Sequence, residues 1–223
     1  MEAFLLRDST SGEPDPLRAI HRPFQAAIFD CDGTLADTMP LHYRAWASTM
    51  ADQGAVFPES LFYELAGVPT VEIVHILNRR FGYRLDPEAV AADKEARYEQ
   101  LLPQASAVPR VVALVREYEG RYPLAVASGG LRRLVEQTVA ALGLTRCFQV
   151  VCTAEDVERG KPEPDLFLLA ARLLGTPPEQ CVVFEDSELG LEAAQRAGMQ
   201  GVDVRPWVPH AVGAAPASGG DAE

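Results

Sequence analysis

Positive charge is in short supply in this sequence: 20 Lys+Arg stand against 32 Asp+Glu, a net charge of −12 over 223 residues. Phosphate backbones and anionic lipid are held by clustered Lys and Arg, so the shortage excludes an extended nucleic-acid surface and disfavours adhesion to a membrane. Long apolar runs are missing too, and none approaches the ~20 residues that span a bilayer. The one apolar patch near the N-terminus, Phe4 to Leu6, gives way to acids and prolines and does not read as a secretory signal. Cysteine is scarce. Cys31, Cys147, Cys152 and Cys181 stand mostly inside apolar runs and lack paired CxxC spacing, so reduced core thiols in a cytoplasmic protein are expected, without a disulfide frame or zinc site.

What is present is ordinary globular composition, 48% hydrophobic and 23% charged. Residues 1–23, with Ser9, Thr10, Gly12, Pro14 and Pro16, read as a loose extension, and residues 208–223, rich in Pro, Ala, Gly and Ser, as a flexible tail. Between them, five apolar runs read as strands: Gln25–Asp30, Pro123–Ser128, Phe148–Cys152, Cys181–Glu185 and Gly201–Val204. They lack polar alternation, as strands covered on both faces do. Helical stripes fill the intervals: Val111 to Tyr118 ending at Gly120, Leu131 to Leu142 before Gly143, and Leu166 to Leu174 before Gly175. Strand alternating with helix predicts an α/β fold, a doubly wound parallel five-stranded sheet. One interval breaks the rhythm. From Thr38 to about Pro103 only helical patterns occur, four of them, the last headed by the capping triplet Asp86-Pro87-Glu88. The expected division is a core of residues 24–38 and 104–207 with a four-helix insertion, residues 39–103, lying over the strand ends as a lid.

The first strand runs into Asp30-Cys31-Asp32-Gly33-Thr34-Leu35-Ala36-Asp37-Thr38. Two carboxylates two positions apart on an extended segment can face the same way, and Gly33 permits a sharp turn. Paired acids at the end of a buried strand repel each other and become tolerable around a cation, for which Mg²⁺ with carboxylate and phosphate oxygens is suited; the competing reading is a turn whose acids cap a helix. Glu185-Asp186 ends another strand, and strand ends share one crevice in a doubly wound sheet. Asp30, Asp32, Glu185 and Asp186 can therefore converge on one metal. Ser128 with Gly129 and Gly130 reads either as a generic turn or as a hydroxyl and free N–H groups for phosphate oxygens. Lys161, in Gly160-Lys161-Pro162, is either a surface lysine or the cation that such a crevice needs.

Phe29-Asp30-Cys31-Asp32-Gly33-Thr34-Leu35, Ser128, Lys161-Pro162 and Glu185-Asp186-Ser187 together resemble the four ordered motifs of the haloacid dehalogenase superfamily, over about residues 25–205. The helical insertion resembles that superfamily's small cap. Asp37-Thr38 with His42-Tyr43-Arg44-Ala45-Trp46 is similar to the β-phosphoglucomutase-like branch, and the nearest likeness is to bacterial phosphatases of fructose 1-phosphate and 6-phosphogluconate. The resemblance implies a Mg²⁺-dependent phosphatase. Asp30 would attack phosphorus and form an aspartyl-phosphate, and Asp32 would protonate the leaving oxygen and later activate water. Mg²⁺ would be held by the Asp30 carboxylate, the Asp32 carbonyl and Asp186 with Glu185 in an outer position, while Ser128 and Lys161 take phosphoryl oxygens. The implied partner is a small phosphorylated metabolite, with no nucleic acid or membrane, and the expected state is a monomer or weak dimer.

Substrate choice falls to the cap, for which His42, Arg44, Trp46 and Lys94 are candidates. Trp46 also lies on the apolar face of its helix, where core packing explains it. A sugar-phosphate mutase must grip a second phosphate. The stretch Gly67-Val68-Pro69-Thr70-Val71 offers no cation for it, which favours hydrolysis, although Arg132 could partly substitute and keeps the mutase as the second reading. A phosphoaspartate receiver is the remote alternative; it leaves the helical insertion and Asp32 without a task.

Overall fold

The computed structural model describes residues 16–209. Its centre is a five-stranded parallel sheet of β1 (Ala26–Phe29), β4 (Leu124–Ser128), β5 (Val150–Thr153), β6 (Cys181–Glu185) and β7 (Gln200–Asp203), in spatial order β5-β4-β1-β6-β7. Two-residue strands β2 (Ala36–Asp37) and β3 (Ser106–Ala107) form a separate antiparallel pair. The helices are α1 (Met39–Asp52), α2 (Glu59–Glu64), α3 (Thr70–Phe81), α4 (Pro87–Leu101), α5 (Pro109–Tyr118), α6 (Arg132–Ala141), α7 (Asp165–Leu174) and α8 (Glu188–Arg196).

Side-chain alternation explains why the strands read as unbroken apolar runs. In β1, Ala27 and Phe29 enter one core with residues of α5 and α6, whereas Ala26 and Ile28 enter a second core with Leu166, Phe167 and Ala170 of α7 and Ala193 of α8. Both faces of the three central strands are buried, so their apolar runs show no polar alternation. β1 and β6 pair directly, Phe29 opposite Phe184, yet the helices that follow them lie on opposite faces. That reversal opens a crevice at their carboxyl ends.

Helices α1–α4 occupy the inserted interval and enclose their own core of Trp46, Phe57, Phe62, Val74, Leu77 and Val90. Asp86 caps α4, its Oδ1 accepting from the N–H of Glu88 at 3.1 Å and of Ala89 at 3.2 Å. The β2–β3 pair ties together the two chain segments entering and leaving this cap, a connection too short to show any period in the sequence. The expected start of the third strand, Phe148, moves to Val150. Cys147 and Phe148 are buried in the loop ahead of β5 and pack into the α5–α6 core, so apolarity there marks a core-filling turn and the strand begins later.

The loose extension needs correction where it is described. Leu17, in a 3₁₀ turn at Pro16–Ala19, is only 2% exposed. The Gln200 side chain accepts from the N–H of His21 at 3.0 Å and of Arg22 at 2.8 Å, and donates to the Arg22 carbonyl at 3.0 Å. The amide stands in for a strand partner at the sheet edge, fixing residues 16–23. Residues 1–15 and the tail from residue 210 onward lie outside the described residues.

Candidate active site

The carboxyl ends of β1 and β6 deliver the acids. Asp30, Glu185 and Asp186 bring carboxylate oxygens within 4.8 Å of one another, with Asp30 and Glu185 5% and 1% exposed. Lys161 bridges two of them, its Nζ 2.6 Å from Asp30 Oδ1 and 2.7 Å from Glu185 Oε2. The other oxygen of Glu185 accepts from Ser187 Oγ at 2.7 Å and from the Ser187 N–H at 3.0 Å. Glycine is required twice at this point. A Cβ on Gly33, which sits at φ +82°, would lie 2.2 Å from Asp186 Oδ2, and one on Gly190 would lie 2.1 Å from Glu185 Cδ.

Burial, together with the Glu185 charge, pushes the Asp30 carboxyl well above the usual carboxylate range against the pull of Lys161. The same two causes raise Asp186 to about 8, opposed by the Thr34 hydroxyl, which donates to its Oδ1 at 3.0 Å, and by Lys161. Burial lowers the Lys161 pKa, but Asp30 and Glu185 outweigh it and hold the ammonium firmly charged. Three crowded carboxylates against one ammonium, all hard oxygen donors, fit a divalent cation such as Mg²⁺. Cys31 stands between the two aspartates with its thiol pushed well up, first by burial and then by Asp32 and Asp30, which removes it as a nucleophile. All four cysteines are free and buried.

Asp32 belongs to different surroundings. Its Oδ1 accepts from the Thr38 hydroxyl at 2.7 Å and the Tyr98 hydroxyl at 3.1 Å, and lies 3.3 Å from His42 Nε2. Burial raises its pKa, yet His42 and the two hydroxyls together hold it well below the usual range. His42 stacks on Tyr98 with ring centroids 3.7 Å apart. Its Nδ1 lies 2.8 Å from Lys94 Nζ, which also contacts Glu95 Oε1 at 3.0 Å; Glu95 Oε1 in turn accepts from Thr70 Oγ1 at 2.7 Å. Burial and the Lys94 charge lower the His42 pKa against the pull of Asp32; with Lys94 at Nδ1, Nε2 is the ring nitrogen that faces Asp32.

These groups line one cleft of about 130 Å³ between core and cap. It contains Asp30, Asp32, Ser128, Gly129, Gly130, Lys161, Glu185 and Asp186 from the core, and His42, Trp46 and Lys94 from the cap. Ser128 Oγ accepts from the Gly130 N–H at 3.1 Å. Two expected residues lie elsewhere. Arg132 turns toward the end of β5, where it pairs with Asp156 Oδ2 at 2.5 Å and Glu136 at 3.3 Å; nearby acids claim it. Arg44 is exposed and donates to Gln104 at 2.8 Å, because its place on α1 faces away from the cleft. Trp46 is 1% exposed, packed edge-on to Phe57 in the cap core, and touches the cleft only as part of that wall.

Sequence reasoning missed Tyr98, Glu95 and Thr70. Tyr98 was signalled by its position one helical turn after Lys94, which places both on one face of α4. Glu95 carried no signal, being one acid among several in a charged helix.

A family model described as haloacid dehalogenase-like hydrolase matches residues 24–198. The chain is 39% identical over 187 residues to the fructose-1-phosphate phosphatase of Escherichia coli, an alignment covering 83% of this chain and 99% of the relative. It is 33% identical over 180 residues to a phosphorylated carbohydrates phosphatase of Thermotoga maritima, covering 79% of this chain and 82% of that one. A β-phosphoglucomutase from Clostridium difficile shares the fold with a TM-score of 0.73 at 23% identity, over 81% of this chain and 84% of that one. Among the described residues no helix is long and apolar enough to cross a membrane. The chain belongs to the haloacid dehalogenase-like hydrolases and is a phosphatase of that family.

Proposed function

We propose that this phosphatase hydrolyses a small phosphorylated sugar by transferring the phosphoryl group to Asp30, with Mg²⁺ as cofactor. The observation that carries the reading is the separation of two aspartates only two positions apart. Asp30 is bound into the acid cluster with Lys161, whereas Asp32 is held from the cap side by Thr38, Tyr98 and His42. This separation supports Asp30 as the attacking carboxylate and Asp32 as the proton donor to a leaving group arriving from the cap.

In the first step an Asp30 oxygen bonds to phosphorus while the bond from phosphorus to the sugar oxygen breaks, and Asp32 supplies the proton to that oxygen. In the second, water gives a proton to Asp32 and bonds to phosphorus, releasing phosphate and restoring the Asp30 carboxylate. The donors on Asp32 Oδ1 keep it ionised. When a substrate oxygen takes their place, burial, the largest influence on this carboxyl, raises its pKa and favours the proton-donating form. Lys161 neutralises phosphoryl charge, and Ser128 with the Gly129 and Gly130 backbone offers donors to phosphoryl oxygens. Mg²⁺, held by Asp30 and Asp186 with Glu185 behind them, would supply charge neutralisation at the phosphoryl group. The Asp32 side chain lies outside the three-carboxylate cluster, consistent with the backbone carbonyl that the resemblance implies for it at the metal.

The mutase reading loses its substitute cation with Arg132 engaged at Asp156 and Glu136. The test is a panel of phosphorylated sugars, fructose 1-phosphate, 6-phosphogluconate and β-glucose 1-phosphate among them, with phosphate release and isomer formation followed together. Steady phosphate release that chelation abolishes is expected. Quantitative conversion of a 1-phosphate to its 6-phosphate, with no phosphate released, would sink the reading. The cytoplasm is the proposed location and a monomer or weak dimer the proposed state.

A further inference from the structure

We propose that the cap half of the cleft is a charge filter, admitting neutral polyol phosphates and turning away substrates with a second anionic group, and that Glu95 sets the filter. The inference rests on the phosphatase reading above and adds the chemical class of the leaving group, narrowing the likeness to fructose 1-phosphate and 6-phosphogluconate phosphatases to substrates without a second anion. Among the described residues lining the cleft, the lysines are Lys161 and Lys94, and there is no arginine; burial lowers the Lys94 pKa, and Glu95 and Asp32 oppose it. Lys161 is committed to Asp30 and Glu185 in the core half. Lys94 is 3% exposed and already matched, with Glu95 Oε1 at 3.0 Å and His42 Nδ1 at 2.8 Å. A carboxylate or phosphate at the far end of a substrate would therefore meet a satisfied lysine and a resident anion.

Glu95 is built in. Its side chain is 14% exposed, and its contacts with Lys94 and Thr70 both fall on Oε1, leaving Oε2 as an acceptor for a sugar hydroxyl. Burial raises its pKa, but Lys94 and His42 outweigh that and keep it ionised. The surrounding wall of Met39, Phe62, Leu65, Val68 and Ile73 is apolar, suited to the C–H faces of a polyol and offering nothing to a second anion.

The test is a matched pair of substrates, glucitol 6-phosphate and 6-phosphogluconate, which differ only in a terminal CH₂OH against a carboxylate. With the full-length enzyme and Mg²⁺, kcat/KM for glucitol 6-phosphate should exceed that for 6-phosphogluconate by about tenfold or more, the order of a like-charge repulsion in a partly wet cleft. Glu95→Gln keeps the oxygen facing Thr70 while freeing the charge of Lys94, so it should compress the ratio several-fold by raising activity on 6-phosphogluconate. Equal wild-type activity on the two, or a ratio unchanged in Glu95→Gln, overturns the inference. Should the variant not fold, the wild-type ratio alone decides. Release from p-nitrophenyl phosphate but from neither polyol phosphate overturns the filter and leaves the phosphatase reading standing; release from no ester at all overturns that reading.

Discussion

The two halves of the cleft are built by different means. The core half hangs from strand ends: Asp30 and Glu185–Asp186 stand where β1 and β6, paired side by side, run out. Hydrogen-bonded strands set those positions, and Gly33 and Gly190 let the carboxylates approach. The cap half hangs from helix faces, with His42 on α1, Thr70 at the head of α3 and Lys94, Glu95 and Tyr98 on α4. Its alignment depends on how those helices pack across the junction of Leu41, Ala45, Tyr98, Leu102 and Leu134. The difference teaches a division of labour under the proposed mechanism: a fixed half would hold phosphate and metal, and a packed half would control the proton and the leaving group.

Removing a core-half group should cost most. Asp30→Asn is expected to lower kcat by more than about 10⁴-fold, measured as phosphate release, with the Mg²⁺-bound fold retained. Asp32→Asn, at the seam, should lose about 10²–10⁴-fold on a sugar phosphate and clearly less on p-nitrophenyl phosphate, whose phenolate leaves without a proton. Equal losses on both esters would detach Asp32 from proton transfer. Tyr98→Phe should cost about tenfold or less and move the limb of the kcat/KM–pH profile governed by Asp32 in the free enzyme to higher pH, because losing a donor raises that pKa. An unmoved limb would show that the cap does not tune Asp32.

Thermal stability sharpens the same contrast. Asp186 stands at about 8 against an ordinary 3.8, raised by burial and by Glu185. Between those values the folded state holds a proton that the unfolded chain lacks, so this group's contribution to stability falls as pH rises across that window. Metal binding needs the carboxylate form, so the rise in Tm on adding Mg²⁺ should be larger at about pH 8 than at about pH 6; a rise independent of pH would place the ion elsewhere. The smallest effect belongs far from the seam. Asp86→Ala removes the α4 cap and should cost about 1 kcal/mol of stability with kcat unchanged, as read by denaturant unfolding and phosphate release.

Legibility in the sequence followed the same division. The five strands, the inserted helices and the acids Asp30, Asp32, Glu185 and Asp186 were readable because buried parallel strands leave apolar runs and because acids ending such runs are costly without a purpose. The β2–β3 pair, two residues per strand, has no period to read. Packing of Leu17 and Gln200 against the chain start depends on a contact between residues nearly the whole chain apart. In the cap, a lysine within the buried stripe Val90, Ala91, Lys94 and Tyr98 marks an inward face, but pairing Tyr98 and His42 with Asp32 required two helices to be set against the core. Arg132 misled for the opposite reason: proximity to Ser128 in sequence said nothing of Asp156, which takes its charge in space.

The central claim is that Asp30 carries the phosphoryl group during turnover. The most direct test is to quench the enzyme with acid during steady-state hydrolysis, reduce it with borohydride, and locate the product by peptide mass spectrometry. An acyl phosphate at Asp30 is reduced to homoserine, and the account predicts homoserine at position 30 in the wild type and none in Asp30→Asn. Modification at another carboxylate, or rapid phosphate release with position 30 unmodified, would contradict it.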